Sequence, residues 1–149
     1  MSIEEEISQE HFRNKHHKSA VNVIYTFNWL YEKTMELLKP FGLTIQQFNI
    51  LRILRGQHPE PATVKLLKER MMDKMSDASR LVEKLRKKGL VDRRICDKDR
   101  RNVDVLITEE GLLLLKNIDS HEKEFDKIMA NLSSEEMDQL NDLLDKLRG

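Results

Sequence analysis

The sequence predicts a mainly α-helical domain that carries one small β-hairpin, organised as a single unit over residues 1–149. Three observations predict it. Apolar residues recur at helical spacing along most of the chain. Two short alternating stretches, LVDRRI and NVDVLI, flank a charged knot, CDKDRR. Prolines, glycines and hydroxyl or acidic N-cap residues punctuate the pattern at the joints between helices. A chain of 149 residues is long enough to bury one real core.

Taken in order, residues 9–39 read as one long helix, with Val23, Phe27, Leu30 and Leu38 on its stripe and Ile24, Tyr31 and Leu37 widening it. Pro40 and Gly42 end it. Thr44 is placed to cap a second helix, in which Phe48, Leu51, Ile53 and Leu54 are apolar. GQHPEP breaks the chain again, and a short helix starts near Ala62 or Thr63. After a tight polar link, MSDASRLVEKLRKKG is amphipathic: Ala78, Leu81, Val82 and Leu85 share a face. Gly89 sits where a left-handed C-terminal cap belongs. Arg86, Lys87 and Lys88 suit the negative end of that helix. The hairpin follows, and Thr108 then caps a helix whose stripe runs through Leu112, Leu115, Ile118, Phe125 and Ile128 to about Asn131. Ser133 and Glu136 form a capping box for a last helix with Met137, Leu140, Leu143, Leu144 and Leu147 apolar. Helix, helix, tight turn, helix and hairpin over residues 44–107 is the winged helix-turn-helix plan.

Composition narrows the function. Hydrophobic residues are 39% and charged residues 35%, a well-solvated mixture. No apolar run approaches the roughly 18 residues of a membrane span. The acidic start MSIEEEISQEHF lacks the apolar core of a signal peptide, so a cytoplasmic protein is expected. The net charge of zero hides an asymmetry. Residues 80–101 carry +6 and residues 108–149 carry −6, which concentrates positive potential around the third helix of the lobe and its hairpin.

That region holds the candidate binding residues. Ser76, Asp77, Ser79 and Arg80 face outward at the start of the helix, Ala78 lies near the edge of its buried face, and Lys84 is one turn on. Small hydroxyls let a helix backbone approach the major groove, and an arginine there can pair with guanine or hold a phosphate. Lys84, Arg93, Arg94 and Lys98 are candidate phosphate contacts, and Arg100 adds to the positive hairpin tip. Narrow minor grooves attract inserted arginine. Arg101 is the candidate for that role, with Asp99, two residues earlier, orienting its guanidinium.

DRRNVDVLIT resembles the wing pattern D-x-R-x-x-x-V-x-[LI]-T of the MarR (multiple antibiotic resistance) transcriptional regulators, with Asp99, Arg101, Val105, Ile107 and Thr108 on its positions. SDASRLVEKLRKKGLVDR resembles that family's recognition helix and first wing strand, and length and helix order agree over essentially the whole chain. Leu67 departs from the pattern, standing where the family often has a small alanine. The resemblance implies a homodimer with residues 9–39 and 109–148 as interleaved dimerisation helices. It implies double-stranded DNA as the partner, a pseudo-palindromic operator and usually repression. It also implies release of DNA by a small-molecule effector, in a pocket between the dimerisation helices and the DNA-binding lobe. Phe27, Trp29, Tyr31 and Phe48 are the candidate walls of that pocket. The residues agree independently on the dimer, because the terminal stripes are longer than a monomer of this size can cover.

Other chemistry finds little footing. No Gly-rich phosphate loop, nucleophile elbow or H-E-x-x-H motif occurs, so no enzyme is expected. Cys96 is the only cysteine, which excludes an intramolecular disulfide, and it reads as a strand residue beside the hairpin tip. His16 and His17 are adjacent and point about 100° apart on a helix, so neither a metal nor another cofactor is expected. The rival reading is a winged helix that binds an acidic partner protein and never touches DNA.

Overall fold

The computed structural model describes residues 1–149. Its order is α1 (Ile3–Glu6), α2 (Lys15–Leu38), α3 (Ile45–Gln57), β1 (Ala62–Thr63), α4 (Val64–Arg70), α5 (Ala78–Lys87), β2 (Val91–Ile95), β3 (Val103–Ile107), α6 (Glu109–Asp119), α7 (Glu122–Asp126) and α8 (Ser134–Arg148), with 3₁₀ turns at Lys39–Phe41 and Lys127–Met129. The mainly helical class and the β-hairpin are as the sequence predicts.

The core belongs to the middle of the chain. Leu51 and Leu54 of α3, Leu67 of α4, Val82 and Leu85 of α5, Val91 and Val105 of the sheet and Leu115 of α6 form one fully enclosed cluster. Leu67, the departure from the family pattern, is wholly buried there and fills the space with its own side chain. The flanking helices contribute little: α2 buries only Leu38, and α8 buries nothing. Val23, Ile24, Phe27 and Leu30 of α2 and Leu143 and Leu147 of α8 stay exposed. No helix is long and apolar enough to cross a membrane.

Three differences from the sequence reading have local causes. The expected helix over residues 9–39 begins only at Lys15, because Asn14 takes an extended backbone and accepts the His17 N–H at 2.9 Å as an N-cap. The chain before it folds back as α1, closed by a Ser2–Glu5 capping box and tied to α2 by Lys18–Glu4 and by the Tyr25 hydroxyl donating to Glu6 at 2.6 Å. The stripe from Thr108 to Asn131 is not one helix, since α6 stops at Asp119. There the Ser120 hydroxyl donates to the Asn117 carbonyl at 2.6 Å and the His121 ring lies 3.0 Å from the same oxygen. The His121 N–H turns to Ile118 instead, and side chains competing for backbone acceptors end the helix. Ala62 and Thr63, expected at a helix start, form a two-residue strand against Val105 and Asp104, giving a three-stranded antiparallel sheet of order β1-β3-β2. A strand that short leaves no alternation to read.

The other joints follow the expected chemistry. Thr44 forms a capping box with Gln47, Gly89 adopts φ 74°, and Ser133 with Glu136 caps α8. Thr108 does more than cap α6. Its Oγ1 accepts the Gly111 N–H at 3.1 Å and donates to the Gly89 carbonyl at 2.8 Å, while its N–H donates to the Leu90 carbonyl at 3.1 Å. One residue thus joins the end of α5, the end of β3 and the start of α6.

Candidate nucleic-acid interface

The helix-turn-helix is built from α4 and α5, and β2 and β3 form the wing beside it. Between the two helices the chain makes a polar turn around Asp73. The Asp73 carboxylate accepts the Met75 N–H at 3.0 Å and the Gln46 amide at 3.4 Å. The Ser76 hydroxyl, the Met75 N–H and the Gln46 amide together hold its carboxyl below the usual range, Ser76 most strongly. Ser76 therefore precedes α5 and is engaged with the turn, and Asp77 is the N-cap, accepting the Arg80 N–H at 3.1 Å. Ala78 faces the core with 4% exposure, so it spaces the helix from its neighbours and offers nothing outward. Ser79, Arg80 and Lys84 are exposed on the helix, as are Arg86 and Lys87 in its last turn. Of the six residues nominated on this helix, those three present free polar groups to solvent.

The wing carries the rest. Arg94, Lys98 and Arg100 are exposed and make no ion pair, and Cys96 donates its backbone N–H to Asn102 at 3.0 Å. Asp99 organises the tip. Its carboxylate accepts the Arg101 backbone N–H at 3.0 Å and the Asn102 amide at 3.2 Å, while its carbonyl accepts the Asn102 N–H at 2.9 Å. That is an Asx-type turn with Asp99 at its first position. The Arg101 Nε lies 3.7 Å from the same carboxylate, close enough for charge attraction but long for a hydrogen bond, and the side chain is 96% exposed. Asp99 acts on Arg101 chiefly through the backbone it fixes.

Arg93 is not free. Its Nη1 donates to Glu83 Oε2 at 3.1 Å, while Arg86 holds both Glu83 oxygens at 2.8 and 2.9 Å. The Arg86 hydrogen bonds first, then Arg93, draw the Glu83 carboxyl down to about 2. Glu83 thereby pins the first wing strand to α5. The sequence reading missed this residue. Its i, i+3 spacing to Arg86 was visible, but its reach to Arg93 depends on the fold. At the other end of α5, the Lys88 ammonium donates to the Gly42 carbonyl and, at 3.2 Å, to Gln47 Oε1, securing the helix to the corner between α2 and α3.

The nominated pocket walls separate. Phe27 and Tyr31 line a cavity of about 560 Å³ with Leu30, Ile45, Asn49 and Met72, and Asp73 and Lys74 complete it on the helix-turn-helix side. Trp29, about 200° round α2 from Phe27, faces Lys33, Leu37 and Ile128 instead. Phe48 packs against the core, stacked on Phe125 at 6.3 Å with the Arg52 guanidinium 5.6 Å above its ring.

The arrangement resembles known proteins. A family model described as the MarR family matches residues 41–102, which contain α3 to the wing tip. A MarR transcription factor from Planctomyces limnophilus is 28% identical, with a TM-score of 0.69, over 91% of this chain and 98% of that one. The organohalide-sensing regulator RdhR, solved with 2,4-dichlorophenol bound, has the same fold at 20% identity and a TM-score of 0.80, over 93% and 86%. The S. aureus MepR–DNA complex has it at 22% identity and 0.73, over 87% and 94%. With the lobe matching the family model and the likeness extending through both flanking helices, the chain has the winged helix-turn-helix fold of the MarR-family regulators that it resembles.

Proposed function

We propose that this protein is a non-enzymatic, sequence-specific DNA-binding regulator that acts in the cytoplasm as a homodimer. The observation that carries the reading is the set of exposed, mostly unpaired cations on α5 and the wing. Ser79, Arg80 and Lys84 of α5 and Arg94, Lys98, Arg100 and Arg101 of the wing are exposed, and of these cations only Arg101 has a carboxylate within 4 Å. Ser79 and Arg80 read the major groove, Lys84, Arg94 and Lys98 hold phosphates, and Arg101 enters the neighbouring minor groove. Arg93 serves the wing through Glu83 before it serves DNA. A two-fold dimer places its two recognition helices about 34 Å apart, in successive major grooves, which calls for a pseudo-palindromic site. The exposed apolar faces of α2 and α8 support that dimer.

Repression relieved by a small molecule fits the cavity between α2, α3 and the Asp73 turn. A ligand there would press on the segment that fixes the start of α5. RdhR, which shares the fold, holds 2,4-dichlorophenol.

The test is fluorescence anisotropy of the protein against the DNA upstream of its own gene, beside an unrelated duplex and the Arg101→Ala variant. Binding should prefer the upstream DNA and weaken steeply with salt. Arg101→Ala should weaken it by about 1–3 kcal/mol. Equal binding by variant and wild type would remove the wing from the interface, and no binding to any duplex would favour a protein partner.

A further inference from the structure

We infer that Lys65, on the first helix of the helix-turn-helix, closes a seat for one DNA backbone phosphate between that helix, the recognition helix and the wing. The inference rests on the DNA-binding reading and adds to it a site and a residue outside the recognition helix and the wing. The seat is a cleft of about 260 Å³ lined by Val64 and Lys65 of α4, Ser79 and Val82 of α5, and Arg93, Arg101, Asn102 and Val103 of the wing. Three elements meet there, and three cations and two hydrogen-bonding side chains converge. No carboxylate lines it, although the chain has 26 Asp and Glu residues.

The charges in the cleft are unequal. Arg93 is paired with Glu83, and Arg101 has the Asp99 carboxylate beside it. Lys65 makes no ion pair and no side-chain hydrogen bond, and it is exposed at the mouth. It is therefore the cation in the cleft whose charge is wholly uncompensated. The Ser79 hydroxyl and the second N–H of the Asn102 amide, whose first is given to Asp99, offer the hydrogen bonds that a non-bridging phosphate oxygen accepts. A cationic ligand would find no carboxylate in the lining, whereas a phosphodiester meets donors from three sides. The first helix of a helix-turn-helix crosses the DNA backbone, which brings a phosphate to this position when α5 enters the groove.

The experiment measures affinity for a short random-sequence duplex across a series of salt concentrations, for wild type, Lys65→Gln, Arg101→Ala and Lys146→Gln. Lys65 is exposed, so its replacement leaves the fold intact. Removing one phosphate contact should make the slope of log K against log salt shallower by about 0.9 for Lys65→Gln. Lys146, on α8, should leave the slope unchanged. A Lys65→Gln slope equal to that of wild type, with Arg101→Ala still weakened, overturns the seat and leaves the regulator reading standing. Wild-type protein that binds no duplex at all overturns both.

Discussion

Glu83 is where recognition helix and wing meet. Its carboxylate is shared by Arg86 on its own helix and Arg93 on β2, and its pKa is drawn from 4.5 to about 2. A folded-state pKa below the unfolded one stabilises the folded state fully above the unfolded value and loses that contribution as the carboxylate protonates. The Glu83 contribution should therefore be constant down to about pH 4.5 and decline between 4.5 and 2. Thermal melts of wild type and Glu83→Gln should show a midpoint difference that is steady near neutrality and narrows across that window. A difference that persists unchanged to pH 2 would mean the bridge does not stabilise the fold. The site's individual chemistry was partly open to sequence reasoning. Ser79, Arg80, Lys84 and the wing cations stand exposed, as expected from polarity at helical and strand spacing. Ser76 and Asp77 were assigned outward roles, yet their oxygens are engaged by the Asp73 turn and the N-cap. An N-cap residue and a helix-surface residue look alike until the first helical turn is placed.

At the scale of elements, caps were the most legible feature, because Thr44, Thr108 and Ser133 act on residues three positions away. Breaks set by tertiary contacts were hidden. His121 ends α6 by turning onto Asn117, and its ring also lies edge-on to Phe41 at 5.4 Å, a partner 80 positions away in sequence. Gly111 is a second hidden case. It sits in the first turn of α6, and a Cβ there would lie 2.5 Å from the Leu90 carbonyl oxygen and 2.6 Å from Ile107 Cγ1. The glycine lets α6 dock against the base of the wing. Alanine in a helix interior gains about 1 kcal/mol over glycine in propensity. Here one obstructing atom is backbone and cannot swing aside, so crowding wins. Gly111→Ala should destabilise the fold by about 1–3 kcal/mol, read from urea unfolding. An equal or raised midpoint would mean that α6 can shift outward freely.

For the whole molecule, the uneven distribution of core has the largest consequence. Only 20 of 149 residues are buried, 14 of them in the lobe, while Ile24, Phe27, Leu143 and Leu147 are each more than 60% exposed on the flanking helices. The proposed dimer covers these faces, so folding and assembly are linked by mass action. The melting midpoint should rise with protein concentration, and paired Leu143→Glu and Leu147→Glu substitutions should shift the sedimenting species from dimer to monomer. A concentration-independent midpoint with unchanged mass would place the dimer contact elsewhere. Thr108 adds a mechanical property to this architecture. Because it fastens the ends of α5 and β3 to the start of α6, the wing behaves as a lever arm with a pivot at Thr108, its swing limited by the Glu83–Arg93 pair. A tilt of about 5° at that pivot, carried along a strand of roughly 17 Å, moves the Arg101 end by about 1.5 Å. That displacement takes a hydrogen bond from its optimum beyond its working range. In the proposed complex such a small change of angle releases the DNA, with every helix and strand still intact.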